Sequence, residues 1–268
     1  MKVRVEYNKL LSGTAPTKSL LMGVKRAVGR NNAGRITVRH KGSGHKRLQR
    51  DVDFMFNKMD IPAKITSIEY DPNRSAFIGL AVYADGEKRY VVVPRKVEVG
   101  TKFLISEKAT ITLGNRLPLA KIPIGTFVYC VEIQPHGGAK LVRSAGNYAE
   151  VIAHDAGYVH LKLPSSEVRK VLGTSWASIG EVSNEEQRLE KGGKAGRNRH
   201  LGIRPTVRGS AMNAVDHPHG GGEGRQGRGL RRAKTKWGRP SGKGQKTRRS
   251  KKYSNTLIVR RRKVGKQR

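Results

Sequence analysis

The middle of the chain holds short apolar runs, many of their residues β-branched or aromatic, a pattern typical of β-strands. Gly or Pro separates these runs at spacings of roughly 8–12 residues, as in small β-barrels and sandwiches. The pattern predicts strands at residues 65–70, 76–83, 89–93, 110–113, 126–133, 148–153, 158–163, 167–172 and 176–179. The sequence therefore predicts a mainly β fold without long helices.

Turn and cap residues divide this region further. Asp85-Gly86 predicts a two-residue hairpin loop, because Gly tolerates positive φ, and Asp71–Asn73 marks another turn. The best helical segment is Asn184–Lys191, with Ser183 as its predicted N-cap. Residues 122–126 interrupt the strand pattern, so we expect two small barrels with a boundary there.

Charge sets the two ends of the chain apart from this middle. Residues 1–50 carry 13 basic residues and one acidic residue, residues 51–190 carry 17 of each, and residues 191–268 carry 25 and two. The formal net charge of +35 therefore lies in the two flanks. Such an excess argues against a soluble metabolic enzyme, because like charges repel in a compact chain, and it indicates a polyanionic partner.

The flanks are also poor in apolar residues, and residues 191–268 hold 15 of the 32 glycines. They cannot bury enough apolar surface to offset the entropy of ordering. We therefore expect residues 191–268, and residues 23–44 in the N-terminal flank, to be disordered alone and to become ordered on a partner.

Two further classes of protein are excluded by composition. No run approaches the roughly 20 apolar residues of a membrane-spanning helix. The single cysteine, Cys130, excludes an intramolecular disulfide and a site built from several thiolates. Cysteine usage of this kind is typical of a reducing compartment.

The N-terminal flank alternates cations with Gly and Asn from residue 29 to residue 50. Arginine offers a planar set of donors to phosphate, and histidine can stack on bases or bond to them. A solvated run of charge is the alternative interpretation. The predicted nucleic-acid contacts in this flank are Arg30, Asn31, Arg35, Arg39, His40, His45, Lys46, Arg47 and Arg50.

The C-terminal flank interleaves Arg with Gly and Pro from residue 202 to residue 225, which suits an extended strand along folded nucleic acid. A flexible linker is the alternative. The predicted nucleic-acid contacts here are Arg204, Arg208, Met212, Asn213, His217, His219, Arg225, Arg228, Arg231, Arg232, Trp237, Arg239, Lys243, Arg248, Arg260, Arg261 and Arg262.

The two tryptophans have different expected roles. Trp237 lies among cations and suits base stacking, with a packing contact at the edge of the fold as the alternative. Trp176 lies in a strand-like run, so we expect it in the core.

A metal or catalytic site at His217 and His219 is the third interpretation of this flank. Zinc takes three or four ligands, yet Asp216 and Glu223 are the only acids in residues 191–268. Nucleophilic catalysis needs an activated Ser or Cys with an orienting acid, and no such arrangement is evident. We predict no catalytic residue and no metal ligand, and keep an enzyme centred on these histidines as an alternative hypothesis.

Several motifs are specific in combination. They are residues 29–37 (GRNNAGRIT), 44–46, 69–75 (EYDPNRS), 85–90, 143–146 (RSAG), 163–169, 194–196, 204–209 (RPTVRG) and 215–224 (VDHPHGGGEG). With them the sequence resembles the second family of universal large-subunit ribosomal proteins, the L2 family in its bacterial or organellar form. The resemblance runs from about Gly29 to Lys263.

The resemblance implies an OB-fold-like barrel followed by an SH3-like barrel, flanked by long basic, irregular extensions. We expect a basic N-terminal extension over residues 1–58, the OB-fold-like barrel over 59–123, the SH3-like barrel over 124–195 and a Gly-rich basic C-terminal extension over 196–268.

The resemblance also implies a structural constituent of the large ribosomal subunit. Such a protein is a primary rRNA binder that stabilises rRNA near the peptidyl transferase region and supports subunit association, tRNA binding and translation. The implied partners are large-subunit rRNA, small-subunit rRNA at the subunit interface, neighbouring ribosomal proteins and, indirectly, tRNA, with no membrane.

The resemblance further implies that the chain is not an enzyme, and we interpret His217 as an RNA contact, although a catalytic role has been proposed for a histidine of this kind. We expect no cofactor apart from Mg²⁺ that accompanies rRNA. The expected location is the cytoplasmic ribosome, with an organellar ribosome as the alternative. A free nucleic-acid chaperone is the alternative function.

Overall fold

The computed structural model describes residues 7–262 except 25, 27, 225, 243, 244 and 246. The described chain is mainly β, with short helices and curled sheets. Its strands are β1 (Leu21–Met22), β2 (Gln49–Arg50), β3 (Ala63–Glu69), β4 (Ile78–Tyr83), β5 (Lys88–Val92), β6 (Lys102–Phe103), β7 (Arg116–Pro118), β8 (Phe127–Tyr129), β9 (Val131–Glu132), β10 (Ala139–Leu141), β11 (Ala149–Asp155), β12 (Tyr158–Lys162), β13 (Val168–Leu172), β14 (Trp176–Ile179) and β15 (Ile258–Arg260).

The described helices are α1 (Tyr7–Leu10), α2 (Ala195–His200) and the 3-10 helices Lys18–Leu20, Leu119–Lys121, Glu185–Leu189, Gly209–Ala211 and Tyr253–Asn255. None of the helices in the described ranges is long and apolar enough to span a membrane.

The chain forms two compact units. The sheet unit comprises residues 1–25, 47–191 and 254–268, and it contains all of the strands named above. The basic unit comprises residues 26–46 and 192–253, and is built mostly from turns and loops. The domain boundaries inferred from the sequence stay predictions.

The first part of the sheet unit is a four-stranded antiparallel sheet in the order β5-β4-β3-β6. Alternation of apolar and polar residues places Ile65 and Ala63 of β3 in the core, where Ile78 and Tyr90 also lie. The hairpin between β4 and β5 turns at Gly86, whose φ is +85°. The predicted strands are thus confirmed. The predicted two-residue loop is wrong, because the Tyr83 N–H donates to the Glu87 carbonyl at 2.9 Å and leaves a three-residue loop, residues 84–86, in which only Gly86 has positive φ.

The second part is a seven-stranded antiparallel sheet in the order β15-β13-β12-β11-β8-β14-β7. Neither of its two edge strands, β7 and β15, was predicted from the sequence pattern. Pro118 ends β7. Proline has no backbone N–H to donate, and an edge strand tolerates this because one of its sides has no neighbouring strand. The other edge, β15, comes from the basic C-terminal flank and pairs with β13. Trp176 in β14 is buried, as predicted.

An ion pair lies inside the sheet unit. The Arg116 guanidinium contacts Glu132 Oε1 at 2.9 Å, donates to the Cys130 carbonyl at 2.7 Å and stacks 4.3 Å from the centre of the Phe56 ring. Glu132 also accepts the Trp176 backbone N–H at 3.2 Å. Burial lowers the pKa of Arg116, and the Glu132 charge opposes that shift. A buried charge is tolerated here because its donors are paired.

The predicted strand at residues 110–113 is wrong. The side chain of Asn115 organises this segment as a turn, since its Nδ2 donates to the Thr110 carbonyl at 3.0 Å and to Thr112 Oγ1 at 2.8 Å. Its Oδ1 accepts the Leu104 N–H at 2.8 Å. A local side-chain network therefore outweighs the β propensity of Thr and Ile.

The predicted helix at Asn184–Lys191 is a shorter 3-10 helix, Glu185–Leu189, and Ser183 is not its N-cap. The residue before the helix is Asn184, in a left-handed conformation with φ +64°. The Ser183 hydroxyl accepts the Phe77 backbone N–H at 3.2 Å instead. The residue just before β4 thus takes the hydrogen bond that a cap would make.

Candidate nucleic-acid interface

The structure divides the predicted RNA contacts between the two units. Those in the basic unit are Arg30, Asn31, Arg35, Arg39, His40, His45, Lys46, Arg204, Arg208, Met212, Asn213, His217, His219, Arg228, Arg231, Arg232, Trp237, Arg239 and Arg248. Those in the sheet unit are Arg47, Arg50, Arg260, Arg261 and Arg262. Arg225 and Lys243 lie outside the described residues.

The basic unit concentrates positive charge. Its sequence holds 24 Lys and Arg residues against two acidic residues. Among its described residues, only Gly202 is buried. Its cations are therefore available to a polyanion over nearly the whole surface of the unit.

The N-terminal part of this unit is a tight loop from Gly29 to Val38. Asn31 closes the loop, because its Oδ1 accepts the Arg35 backbone N–H at 2.9 Å and its own N–H donates to the Arg35 carbonyl at 3.0 Å. Gly29 has φ +77° and leaves no room for a side chain against the Val38 carbonyl. The loop holds Arg30 and Arg35 on exposed backbone.

The two flanks pair with each other inside the basic unit. The Gly42 N–H donates to the Gly202 carbonyl at 2.7 Å, and the His45 N–H donates to the His200 carbonyl at 2.8 Å. A Cβ on Gly44 would lie 2.5 Å from the His200 oxygen. The glycines in this segment therefore permit backbones more than 150 residues apart in sequence to meet.

An aromatic ring joins the flanks a second time. The Arg39 guanidinium lies 5.3 Å from the centre of the Trp237 ring. Trp237 is 69% exposed, so one face of the indole is available beside this contact. The geometry suits a stacking platform for a base, with a cation at its edge.

His217 and His219 sit in a loop shaped by backbone hydrogen bonds. The rings are 4.7 Å apart, and the His219 N–H donates to His217 Nδ1 at 3.0 Å. The Lys234 N–H donates to His219 Nε2 at 2.9 Å. The loop closes through the carbonyls of Met212 and Asn213, which accept backbone N–H groups.

These contacts fix which ring nitrogens carry hydrogen. Because each ring accepts an N–H, the neutral forms place the proton on Nε2 of His217 and on Nδ1 of His219. Partial burial lowers the pKa of His219, and the nearby Arg228 and Lys234 lower it further. Each ring, when neutral, thus has one defined donor nitrogen.

Two other predicted histidines have the opposite arrangement. His40 Nδ1 lies 3.1 Å from the Pro205 carbonyl, and His45 Nδ1 lies 2.7 Å from the Lys46 carbonyl. A carbonyl only accepts, so Nδ1 donates in both, and Nε2 is the acceptor when the ring is neutral.

The predicted contacts in the sheet unit are held differently. Arg47 Nη1 donates to the Pro72 carbonyl at 2.7 Å, and Arg50 Nη1 donates to the Leu48 carbonyl at 3.1 Å. Arg260 ends β15, and Arg261 and Arg262 follow it as exposed residues. These side chains therefore belong to the folded sheet body rather than to the loops of the basic unit.

Two arginines of the sheet unit were not among the contacts predicted from the sequence. Arg74 and Arg143 stack on the Phe54 ring, with guanidinium carbons 5.3 and 4.5 Å from its centre. Arg74 Nε also donates to the buried Asp71 carboxylate at 2.5 Å. Both lie in motifs that carry the family resemblance, and that signal could have found them. The basic unit adds Arg26, Arg197, Arg199 and His200 to the cations and rings near the predicted contacts.

The described part of the chain offers few groups of possible metal ligands. No three His, Cys, Asp or Glu residues there come together as a metal site would require. The geometry instead combines arginines, stacked rings and glycine-shaped backbone, which are the elements of RNA recognition.

Comparison with protein families matches this picture. The RNA binding N-terminal domain of Ribosomal Proteins L2 matches residues 17–105, and the C-terminal domain of Ribosomal Proteins L2 matches residues 112–238. Together with the curled sheets, these matches confirm the mainly β fold with OB-like and SH3-like barrels. The two domains cover most of the chain, which therefore belongs to the ribosomal protein L2 family, whose members are structural, RNA-binding proteins of the large ribosomal subunit.

Proposed function

We propose that this chain stabilises large-subunit rRNA near the peptidyl transferase region and there supports subunit association, tRNA binding and translation. The observation that carries the proposal is the charge of the basic unit, with 24 cations against two acids on loops that hydrogen bonds hold in place. A unit of this kind can enter crevices where RNA helices crowd, because its own backbone is compact and its charge offsets phosphate repulsion.

The two units have different tasks in this proposal. The sheet unit is a rigid body that docks on rRNA through Arg74 and Arg143, whose guanidinium planes stay ordered by stacking on Phe54. The basic unit then follows the RNA surface. Each neutralised phosphate releases counterions, so about ten contacts would weaken binding by orders of magnitude between low and moderate salt.

The histidine loop is an RNA contact rather than a catalyst in this proposal. His217 and His219 each use one ring nitrogen to accept a backbone N–H, which leaves one donor per neutral ring for the RNA. Such a donor recognises a base edge, a ribose hydroxyl or a phosphate oxygen.

The proposed partners are large-subunit rRNA, small-subunit rRNA at the subunit interface, neighbouring ribosomal proteins and, through the rRNA, tRNA. The proposed location is the cytoplasmic ribosome.

Sedimentation of a lysate at moderate salt, followed by a high-salt wash, tests the structural role. The chain should stay with large subunits at about one copy per particle, because buried phosphate contacts resist salt better than surface ones. Release into light fractions at modest salt would favour a free nucleic-acid chaperone instead.

Replacement of both His217 and His219 by Ala tests the second part. We expect large subunits that retain the chain and still form peptide bonds, with local changes in chemical probing of the rRNA. Normal assembly together with loss of peptide-bond formation would favour the enzyme hypothesis. A His217→Gln and His219→Gln chain, which keeps a donor at each position, is the matched control.

A further inference from the structure

Residues 233–241 of the basic unit form a tight hairpin, which we call the Trp hairpin. Its two arms pair as antiparallel backbone. The Ser241 N–H donates to the Ala233 carbonyl at 2.7 Å, and the Thr235 N–H donates to the Arg239 carbonyl at 2.8 Å. The hairpin therefore has a defined backbone in a unit built mostly from turns and loops.

The turn of the Trp hairpin is fixed by two further hydrogen bonds. The Gly238 N–H donates to the Thr235 carbonyl at 3.0 Å, and the Arg239 N–H donates to the Thr235 hydroxyl at 3.2 Å. Gly238 has φ +76°, which glycine adopts without strain. Trp237 lies in this turn, so its side chain stands on a preorganised backbone and loses little entropy when a partner binds.

Packing within the fold does not explain the position of Trp237. The indole is 69% exposed, whereas that of Trp176 is 6% exposed. Burial of an aromatic ring is among the largest hydrophobic contributions that a side chain can make, and Trp237 forgoes most of it. Its ring contacts the Arg39 guanidinium, 5.3 Å from the ring centre. One face of the indole is thus covered by a cation, and the other is available to a partner.

The charge around the indole selects a polyanionic partner. The Trp hairpin holds Lys234, Lys236 and Arg239 and no acidic residue, and Lys236 and Arg239 are exposed on either side of Trp237. Arg39 adds a fourth cation. These charges would repel a basic polypeptide segment and attract phosphate. A flat aromatic face between cations is the arrangement that binds single nucleotides of RNA.

The same face discriminates between paired and unpaired RNA. A base inside a helix is stacked on its neighbours above and below, so an indole cannot reach its faces. A base in a bulge or a single-stranded loop can turn a face toward the protein. Because Arg39 covers one side of Trp237, the platform has room for one such base.

On the basis of the rRNA role proposed above, we propose that the Trp hairpin captures one unpaired base of a bulge or loop. The base stacks on the face of Trp237 that lies away from Arg39. Lys236 and Arg239 pair with the phosphates next to that nucleotide. This part of the basic unit is therefore a reader of unpaired nucleotides, and the other cations follow the backbone of paired RNA.

Two matched RNAs test the proposal with the full-length chain at moderate salt. The first is a short RNA duplex with one bulged adenosine, and the second has an abasic nucleotide in the same bulge. Both carry the same phosphates, so only the base differs. The adenosine RNA should bind about tenfold more tightly. It should also quench the fluorescence of Trp237, since the buried Trp176 cannot stack on RNA.

Three variants of Trp237 separate stacking from apolar contact. Trp237→Ala should weaken binding of the adenosine RNA about tenfold and change the affinity for the abasic RNA less than about twofold. Trp237→Phe keeps an aromatic face and should stay within about threefold of the native affinity. Trp237→Leu keeps apolar bulk without that face and should weaken binding nearly as much as Ala.

Lys236→Gln is the charge control at the same tip. It should weaken binding of the adenosine and abasic RNAs equally, because the phosphates are common to both. It should also lower the slope of log affinity against log salt by about one, as expected for one lost phosphate contact.

Equal affinity of the native chain for the two RNAs would overturn the proposal, as would an equal loss for both RNAs in Trp237→Ala. Hydrogen exchange at the Thr235 and Ser241 amides should be unchanged in that variant, because the indole is exposed. Faster exchange would show that the indole stabilises the hairpin itself and would contradict the proposed role. Sedimentation with large subunits reports the general rRNA role separately, so either role can fail without the other.

Assembled particles provide the second readout. Trp237→benzoylphenylalanine in large subunits should crosslink to an unpaired rRNA nucleotide, located by the stops that the crosslink causes in reverse transcription. Crosslinks to base-paired nucleotides, to a polypeptide or to no partner would each contradict the proposal.

Discussion

The sheet unit and the basic unit are stabilised in different ways, although one chain forms both. The sheet unit buries two apolar clusters, whereas only Gly202 is buried among the described residues of the basic unit. Their sequences hold 31 basic and 18 acidic residues in the first, and 24 and two in the second. Hydrophobic burial therefore stabilises the first unit. The second is stabilised by its own backbone hydrogen bonds and by a polyanionic partner that offsets its charge.

Because of this difference, a substitution that destabilises one unit should leave the other unit folded. A change in the core of the sheet unit should leave the loops of the basic unit as they are. A change at a close backbone contact of the basic unit should leave the core unchanged. Each of the following changes tests that separation.

The largest effect should follow from Arg116→Met, which leaves Glu132 buried without its partner. We expect the free energy of unfolding of the sheet unit to fall by about 3–5 kcal/mol. Urea unfolding followed by hydrogen exchange of β14 and β8 amides measures it. Lys121→Met is the control, because the Lys121–Glu107 pair is exposed and contributes at most about 1 kcal/mol. Similar losses in both variants would contradict the prediction.

The next effect should follow from Gly44→Ala in the basic unit. Gly44 has φ +64°, and a Cβ there meets the His200 carbonyl and the Gly202 nitrogen. The left-handed backbone alone makes Ala unfavourable by about 1–2 kcal/mol, and the contact adds to this. Hydrogen exchange should become faster at the His45 amide, with the core amides unchanged.

Gly34→Ala is the matched control for that variant. Gly34 has φ +75°, but a Cβ there meets nothing within 4 Å. Its effect should therefore be the backbone part alone. If Gly34→Ala accelerated exchange at His45 as much as Gly44→Ala, the close approach of the two flanks would not be what stabilises this unit.

A pH effect should distinguish the units next. Burial raises the pKa of the Cys130 thiol to about 12. The native state therefore keeps this proton after the unfolded state has released it, so the stabilisation is complete below about pH 9 and declines as the pH rises toward 12. Between pH 9 and 10, this group should lower the free energy of unfolding of the sheet unit by about 1 kcal/mol.

Cys130→Ala should remove that part of the pH dependence, as shown by urea unfolding at pH 8, 9 and 10. Thiol labelling gives a parallel measurement, because Cys130 is buried and should react only when the sheet unit opens. Rapid labelling of the native chain at pH 8 would show that the core is accessible.

The smallest effect should come from Arg39→Gln, which removes the cation over Trp237. Cation–π contacts at exposed sites contribute about 0.5–1 kcal/mol. In the chain labelled with 5-fluorotryptophan, the ¹⁹F signal of Trp237 should shift and that of the buried Trp176 should not. Arg239→Gln is the control, and an equal shift of Trp237 in that variant would argue for a general charge effect.

The sheet unit was largely predictable because local composition marks its strands, which Gly or Pro separates. The strands β3, β4, β5 and β14 came from β-branched and aromatic runs, and the Asp85-Gly86 turn from glycine chemistry. The misses have local causes as well. Asn115 makes a turn of residues 110–113, and the Ser183 hydroxyl serves Phe77 rather than a helix end.

The candidate site was predictable in its residue types and not in its contacts. The alternation of Arg, His and Gly indicated the cations of the basic unit. No local pattern indicates that Gly42 meets Gly202 or that Arg39 meets Trp237, because those partners are far apart in sequence. Arg74 and Arg143 were missed because they lie in residues 51–190, where basic and acidic residues are equal in number. Only the fold brings both of them to the Phe54 ring.

The pairing of residues 42–45 with residues 200–202 has a consequence for the order in which the chain is made. The first partner emerges about 155 residues before the second, which at about 5–20 residues per second is roughly 8–30 seconds of synthesis. During that interval the N-terminal strand of the pair is a cationic segment without its complement. The edge strand β15 emerges later still, so the seven-stranded sheet is completed only after residues 258–260 have been made.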